Sequence, residues 1–278
     1  MVARRTVFAL SVLAGLIAGP ATGLAQQNDC GPRVAAIVQE AYPAAKGVAD
    51  GNFEVDGHTI MPPAENSLDY VSGTMVCRQW PARPEILLVA VPLMAGESET
   101  EEGVTEGDLD ILVLDSESLG IRYRMKLEEA MLSDAVRITS VAFDTAFYQL
   151  APQNLAFGVR ISKANGSRAN PFEQTVLRLF SIADGKLRPV LDSLAVDENW
   201  GEWDTNCNGE FRNTKRTLSI ARPGKAGLAD IMVAGTIVTS VNEEKAGECN
   251  TTETKATARH RLRFKDDAYV VPEELRGL

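Results

Sequence analysis

The segment 197–211, DENWGEWDTNCNGEF, carries the densest set of chemically capable side chains in the chain. Trp200 and Trp203 stand among Asp197, Glu198, Glu202 and Asp204. Aromatic faces beside carboxylates suit sugars, and glycosidases place two carboxyl groups across the bond they cut. One expectation is therefore a glycan-binding or glycan-hydrolysing site at Glu198, Trp200, Glu202, Trp203 and Asp204. The competing expectation, which takes precedence, is a disulfide-held loop whose rings plug the end of the core. One stretch of chain does not bring two carboxylates face to face across a cleft.

A second set of charged residues lies near the C-terminus. Ala256, Ala258, His260, Leu262 and Phe264 alternate with Lys255, Thr257, Arg259, Arg261, Arg263 and Lys265. A period of two puts the first set on one face of a strand and the second on the other. Successive cations on that face stand roughly 6.6–6.8 Å apart. Lys255, Arg259, Arg261, Arg263 and Lys265 are the candidate binding residues, with cross-strand pairing to acidic neighbours or plain solvation as the alternative. His260 shares the apolar face and reads as a core histidine bonded to a neighbour.

Other chemistry is thinly represented. The chain has no Gly-x-Ser-x-Gly, Ser-x-x-Lys, His-Glu-x-x-His or phosphate-cradling glycine loop. It has two histidines, His58 in a polar stretch and His260, and no Cys-x-x-Cys. No cofactor or metal is implied, and the reading leans away from an enzyme. Asp204-x-Asn206-x-Asn208-Gly209 resembles the first half of an EF-hand-type calcium loop, over six residues. The twelfth position, which takes a bidentate Glu in that family, is Lys215. The pattern Gly-x-x-Asp-Ile-x-Val occurs at 107–113 and 227–233. It is similar to the strand after the calcium loop in FG-GAP-type propeller repeats. The preceding Asp/Asn ligands are missing at both places and two copies make no array, so the chain is not assigned to that family.

The elements that must position these residues are mostly strands. Leu155, Phe157, Val159 and Ile161 alternate with smaller or polar residues, and a second strand, 175–183, meets the turn signal Asp184-Gly185. Val176, Phe180 and Ile182 face one way and Leu177 and Leu179 the other, so both faces of that strand are expected to be covered. Further strands are expected at 86–93, 109–114, 121–127, 136–143, 147–150, 228–242 and 269–271. A short helix falls within 31–46, and 50–73 reads as loop. Glu97, Glu99, Glu101, Glu102, Glu106, Asp108 and Asp110 read as a solvated acidic connection. The expected fold is mainly β: an antiparallel meander or two-sheet sandwich of about eleven strands with a short N-terminal helix, the alternative being a small or incomplete β-propeller.

Residues 1–25 read as a secretory signal peptide: Arg4 and Arg5, an apolar run over 7–19, and small residues before a cut after Ala25. Residues 26–80 form a helix and loop segment, and 81–278 the antiparallel β domain. An exported chain, periplasmic or secreted, passes through an oxidising compartment. Cys30, Cys77, Cys207 and Cys249 are therefore expected as two disulfides, paired 30–77 and 207–249 so that each staples one end. No transmembrane segment is expected in the mature chain. The net charge of −10 is uneven. Residues 26–204 hold 28 acidic and 14 basic residues, and 205–265 hold 6 acidic and 11 basic. The acidic total argues against nucleic acid as partner, and the asymmetry implies either that the two parts attract each other or that the basic part has a partner, an envelope or extracellular macromolecule.

Overall fold

The computed structural model describes residues 29–63, 73–96, 104–221 and 227–278. The expected signal peptide, and Glu97, Glu99, Glu101 and Glu102 of the acidic stretch, lie outside the described residues. Among the described residues the architecture is two seven-stranded antiparallel sheets and one short α-helix, not the four-stranded blades of a propeller.

The first sheet is built around two apolar strands. Here β1 is Lys46–Gly47, β2 Phe53–Val55, β3 His58–Ile60, β4 Val76–Gln79, β5 Ile86–Ala95, β6 Gly107–Asp115 and β7 Ile121–Leu127. Their order is β1-β2-β3-β5-β6-β7, with β4 also paired to β5. An unbroken apolar run such as ILLVAVPL suits a strand covered on both faces. Helix α1 (Val34–Ala41) covers one face of β5 and β6 with Ile37, Val38 and Ala41, and Cys30 bonds to Cys77 of β4 beneath it. The second sheet covers the other face. The stretch 50–73, expected as loop, contains β2 and β3: Asp56-Gly57, with φ of 49° and 80°, makes a tight hairpin there. The first sheet thus draws strands from both sides of residue 80.

The second sheet is an uninterrupted meander. Its strands are β8 (Val136–Ala151), β9 (Asn154–Asn165), β10 (Phe172–Ala183), β11 (Lys186–Trp203), β12 (Gly209–Ile220), β13 (Ile231–Lys245) and β14 (Glu248–Leu262), each paired with the next. Asp184 and Gly185 adopt φ of 51° and 69°, as the Asp-Gly signal requires. The strands expected separately at 136–143 and 147–150 are one strand, β8, with an irregularity between Asp144 and Tyr148. Phe157, Val159, Ile161 and Phe180 face the first sheet, and Trp80 lies edge-on to Phe157 at 5.4 Å between centroids. Leu177 and Leu179 face a separate cluster with Leu194, Ile231 and Leu262. The C-terminal hairpin, β15 (Phe264–Lys265) and β16 (Ala268–Tyr269), closes that cluster with Tyr269, Val271 and Leu275.

Asp108 and Asp110 are not part of a solvated connection. They belong to β6, and Asp110 is fully buried under α1. Its Oδ2 accepts hydrogen bonds from Tyr42 Oη at 2.7 Å and Arg124 Nε at 2.8 Å. Arg124 also donates to the Ala41 carbonyl at the helix end and lies over the Tyr42 ring. Burial, then the neighbouring Asp110, pushes the Tyr42 phenol well above its ordinary pKa.

Candidate docking face of the second sheet

The sheet ends at β14, and the chain places Lys255, Thr257, Arg259 and Arg261 on one face of it. Across the ladder stand Val238, Thr236, Ala234 and Met232, none of them acidic. Arg261 pairs with Asp230 just before β13, through its Nε at 2.5 Å. Lys255 and Arg259 are exposed and make no ion pair among the described residues. Arg263 and Lys265 do not continue the row. Leu262 is buried in the C-terminal cluster, β14 stops there, and Arg263 falls between β14 and β15 while Lys265 lies in β15, 3.7 Å from Asp266. His260, expected in the core, sits at its rim: its side chain is 26% exposed and its Nδ1 is 3.7 Å from Glu274. The apolar face is graded, from exposed Ala256 to buried Leu262.

The outer part of β14 is an arm. Every residue from Glu248 to Thr257 is exposed, so both faces meet solvent. A two-stranded ribbon is marginally stable in water. This one has a third strand, β12, paired along β13 from Gly209↔Asn242 to Ile220↔Ile231. The Cys207–Cys249 disulfide ties its tip to the β11–β12 turn, and Asn208 Oδ1 accepts the Glu244 N–H at 3.0 Å. Both disulfides pair as expected from the sequence.

That turn uses the residues that resemble a calcium loop. Asp204 Oδ1 accepts the N–H groups of Asn206 and Cys207 at 2.9 and 2.8 Å, and Oδ2 accepts Asn208 Nδ2 at 2.9 Å. The Asn206 N–H foremost holds the Asp204 carboxyl below the usual carboxylate range. Gly209 is required by the close pairing with Trp203: a Cβ there would meet Trp203 and stand 2.7 Å from the Glu202 carbonyl. Among the described residues no group of three His, Cys, Asp or Glu side chains is placed to hold a metal ion.

The tryptophan and carboxylate set does not converge. Strand β11 runs on to Trp203, so alternation turns Glu198, Trp200 and Glu202 to one face and Trp203 to the other. Glu198 is held by the Arg216 guanidinium and by Gln174 Nε2. Trp200 is 39% exposed. Trp203 donates its indole N–H to the Arg168 carbonyl and packs on Phe211 at 6.1 Å. Glu202 stands opposite Glu210.

The face that bears Lys255 continues inward. Successive ladders align Ser140, Ser162, Thr175, Asp197, Lys215, Thr236 and Thr257 in one row. The next row runs Glu173, Asn199, Asn213, Val238, Lys255. Over β8 to β12 this face is hollowed into a polar cavity of about 470 Å³. Ser162 and Thr175 share a hydrogen bond at 2.9 Å on its floor, and Lys215 reaches Asp197 at 3.9 Å. Burial, with Arg178 nearby, lowers the Lys163 pKa at its edge. Sequence reasoning missed this cavity, because its residues come from five strands and none carries a local motif.

Among the described residues no helix is long and apolar enough to cross a membrane. Comparison with protein-family models, curated proteins and solved structures finds no match for this chain.

Proposed function

We propose that this chain is an exported, non-catalytic binding protein of the cell envelope that docks an acidic macromolecule on the outer face of β14. The observation that carries the reading is the pairing of Lys255 with Val238 and of Arg259 with Ala234. Two exposed cations with neutral cross-strand neighbours make no ion pair among the described residues, so their charge is available to a ligand. The stapled three-strand arm supports the same reading: it fixes the backbone register of those residues, so the strand itself need not be ordered on binding. Export is supported by the basic, apolar and small-residue order of residues 1–25 and by two disulfides.

The test is cross-linking capture from envelope extract with the chain from Gln26 onward and its Lys255→Glu/Arg259→Glu form, compared at equal folded concentration. A partner retained by the first and lost by the second is the expected result. Identical capture by both forms removes β14 as the docking site.

A further inference from the structure

We infer that the acidic partner binds as an extended peptide added to the open edge of β14, an extra strand whose alternate carboxylates lie beside Lys255 and Arg259. This rests on the docking reading above and goes beyond it by naming the partner's conformation. Strand β14 is last in the sheet order, and among the described residues its ladder pairs it with β13 alone. In an antiparallel ladder every second residue turns its N–H and C=O away from its partner strand, so about seven residues of this fifteen-residue strand offer unpaired backbone groups outward. Among the described residues no other segment makes a backbone hydrogen bond to residues 248–261. The edge is long, straight in register from Glu248 to Leu262, and solvent-facing on both sides over its outer ten residues.

The side chains choose the occupant. On the face in question β14 carries Glu253, Lys255, Arg259 and Arg261, three cations to one anion. A second copy of the same strand is a poor complement. Paired about Lys255, it sets Lys255 against itself. Paired about Thr257, it gives Glu253 to Arg261 but sets Arg259 against Lys255. Paired about Thr254 or Ala256, it gives Glu253 to one of Lys255 and Arg259 and leaves the other without a carboxylate, Arg261 being held by Asp230. Each copy also carries a net charge of −10. A strand with Glu or Asp at every second position puts a carboxylate opposite or diagonal to each cation, since both strands share the same two-residue repeat. Lys and Arg on an edge discourage like strands, and the same residues favour an acidic one.

The experiment uses a nine-residue peptide alternating Glu and Thr, and two derivatives N-methylated at alternate backbone nitrogens, one in each parity. An added strand donates its N–H groups to β14 from one parity only. One derivative should bind the full protein like the parent, and the other should lose roughly ten-fold or more. The parent should slow hydrogen exchange along 250–261, and Lys255→Glu/Arg259→Glu should weaken it roughly ten-fold or more. Equal binding by both derivatives overturns the strand geometry while leaving charge-based docking in place. No binding of the parent peptide also overturns it, and the capture experiment then judges the docking reading alone. Protection of β14 in the protein by itself, with a sedimenting dimer, assigns the edge to a second copy and overturns the acidic occupant.

Discussion

Asp110 shows what a single side chain can cost and hold. It is fully buried, yet one oxygen, Oδ1, has no hydrogen-bond partner among the described residues. The other oxygen takes both Tyr42 and Arg124, joining α1 to β6 and β7. Removing one member of a buried pair leaves the others unpaired, which outweighs the relief of desolvation. Asp110→Ala should therefore lower stability by about 2–4 kcal/mol. Arg124 is 40% exposed at its side chain, which keeps the figure below that of a fully enclosed pair. The urea midpoint with an unchanged slope reads this out, and a midpoint equal to wild type would show that the trio does not fasten the helix. None of this was legible in the sequence. There Asp110 is the last of seven carboxylates in a polar run, and its partners lie 68 residues before it and 14 after it. The neighbours of Lys255 and Arg259 were equally hidden. Alternation placed both cations on one face, but only the β13 register sets Val238 and Ala234 opposite them.

At the scale of elements, turn chemistry was the most readable signal. Asp184-Gly185 forms the hairpin its composition calls for, and the β13–β14 turn at Ala246-Gly247, with φ of 54° and 82°, uses the same geometry with a less telling pair. The sequence placed strands at 86–93 and 109–114, but only the fold shows that β5 and β6 are covered on both faces. What failed was continuity: the irregularity in β8 hid one strand as two, and the break after Leu262 divided a cationic row that the sequence shows as unbroken. The outer ends of β13 and β14 stand on pairing and one disulfide rather than on buried apolar surface, which is confined to their inner ends at Ile231, Val233 and Leu262. Closing the loop of 42 residues between Cys207 and Cys249 is worth about 4 kcal/mol in the chain-entropy model. Replacing both cysteines by serine should open the arm first. Exchange should speed up at 240–252 well before the core strands β9 and β10 respond. Uniform acceleration across both sheets would mean that the arm is not a separate unit of stability.

Across the whole molecule, two sheets share one apolar interface, and the charge is divided along the chain. The acidic excess lies in 26–204 and the basic excess in 205–265, the segment that contains β12, β13 and β14. An acidic body carrying a cationic arm repels polyanions except along one edge, so the arm confers selectivity as well as attraction. Composition made that division visible, while the fold splits the basic part: Arg216, Lys215 and Arg261 pair with Glu198, Asp197 and Asp230, and Lys255 and Arg259 stand exposed on β14. The most direct measurement is the affinity of fluorescent poly-L-glutamate for the full protein across a salt series, beside Lys255→Glu/Arg259→Glu. The wild type should bind, and its affinity should fall steadily as salt rises. The variant should bind roughly ten-fold or more weakly and with a shallower salt slope. Equal affinity of the two proteins, or binding indifferent to salt, would contradict a docking site on the β14 face.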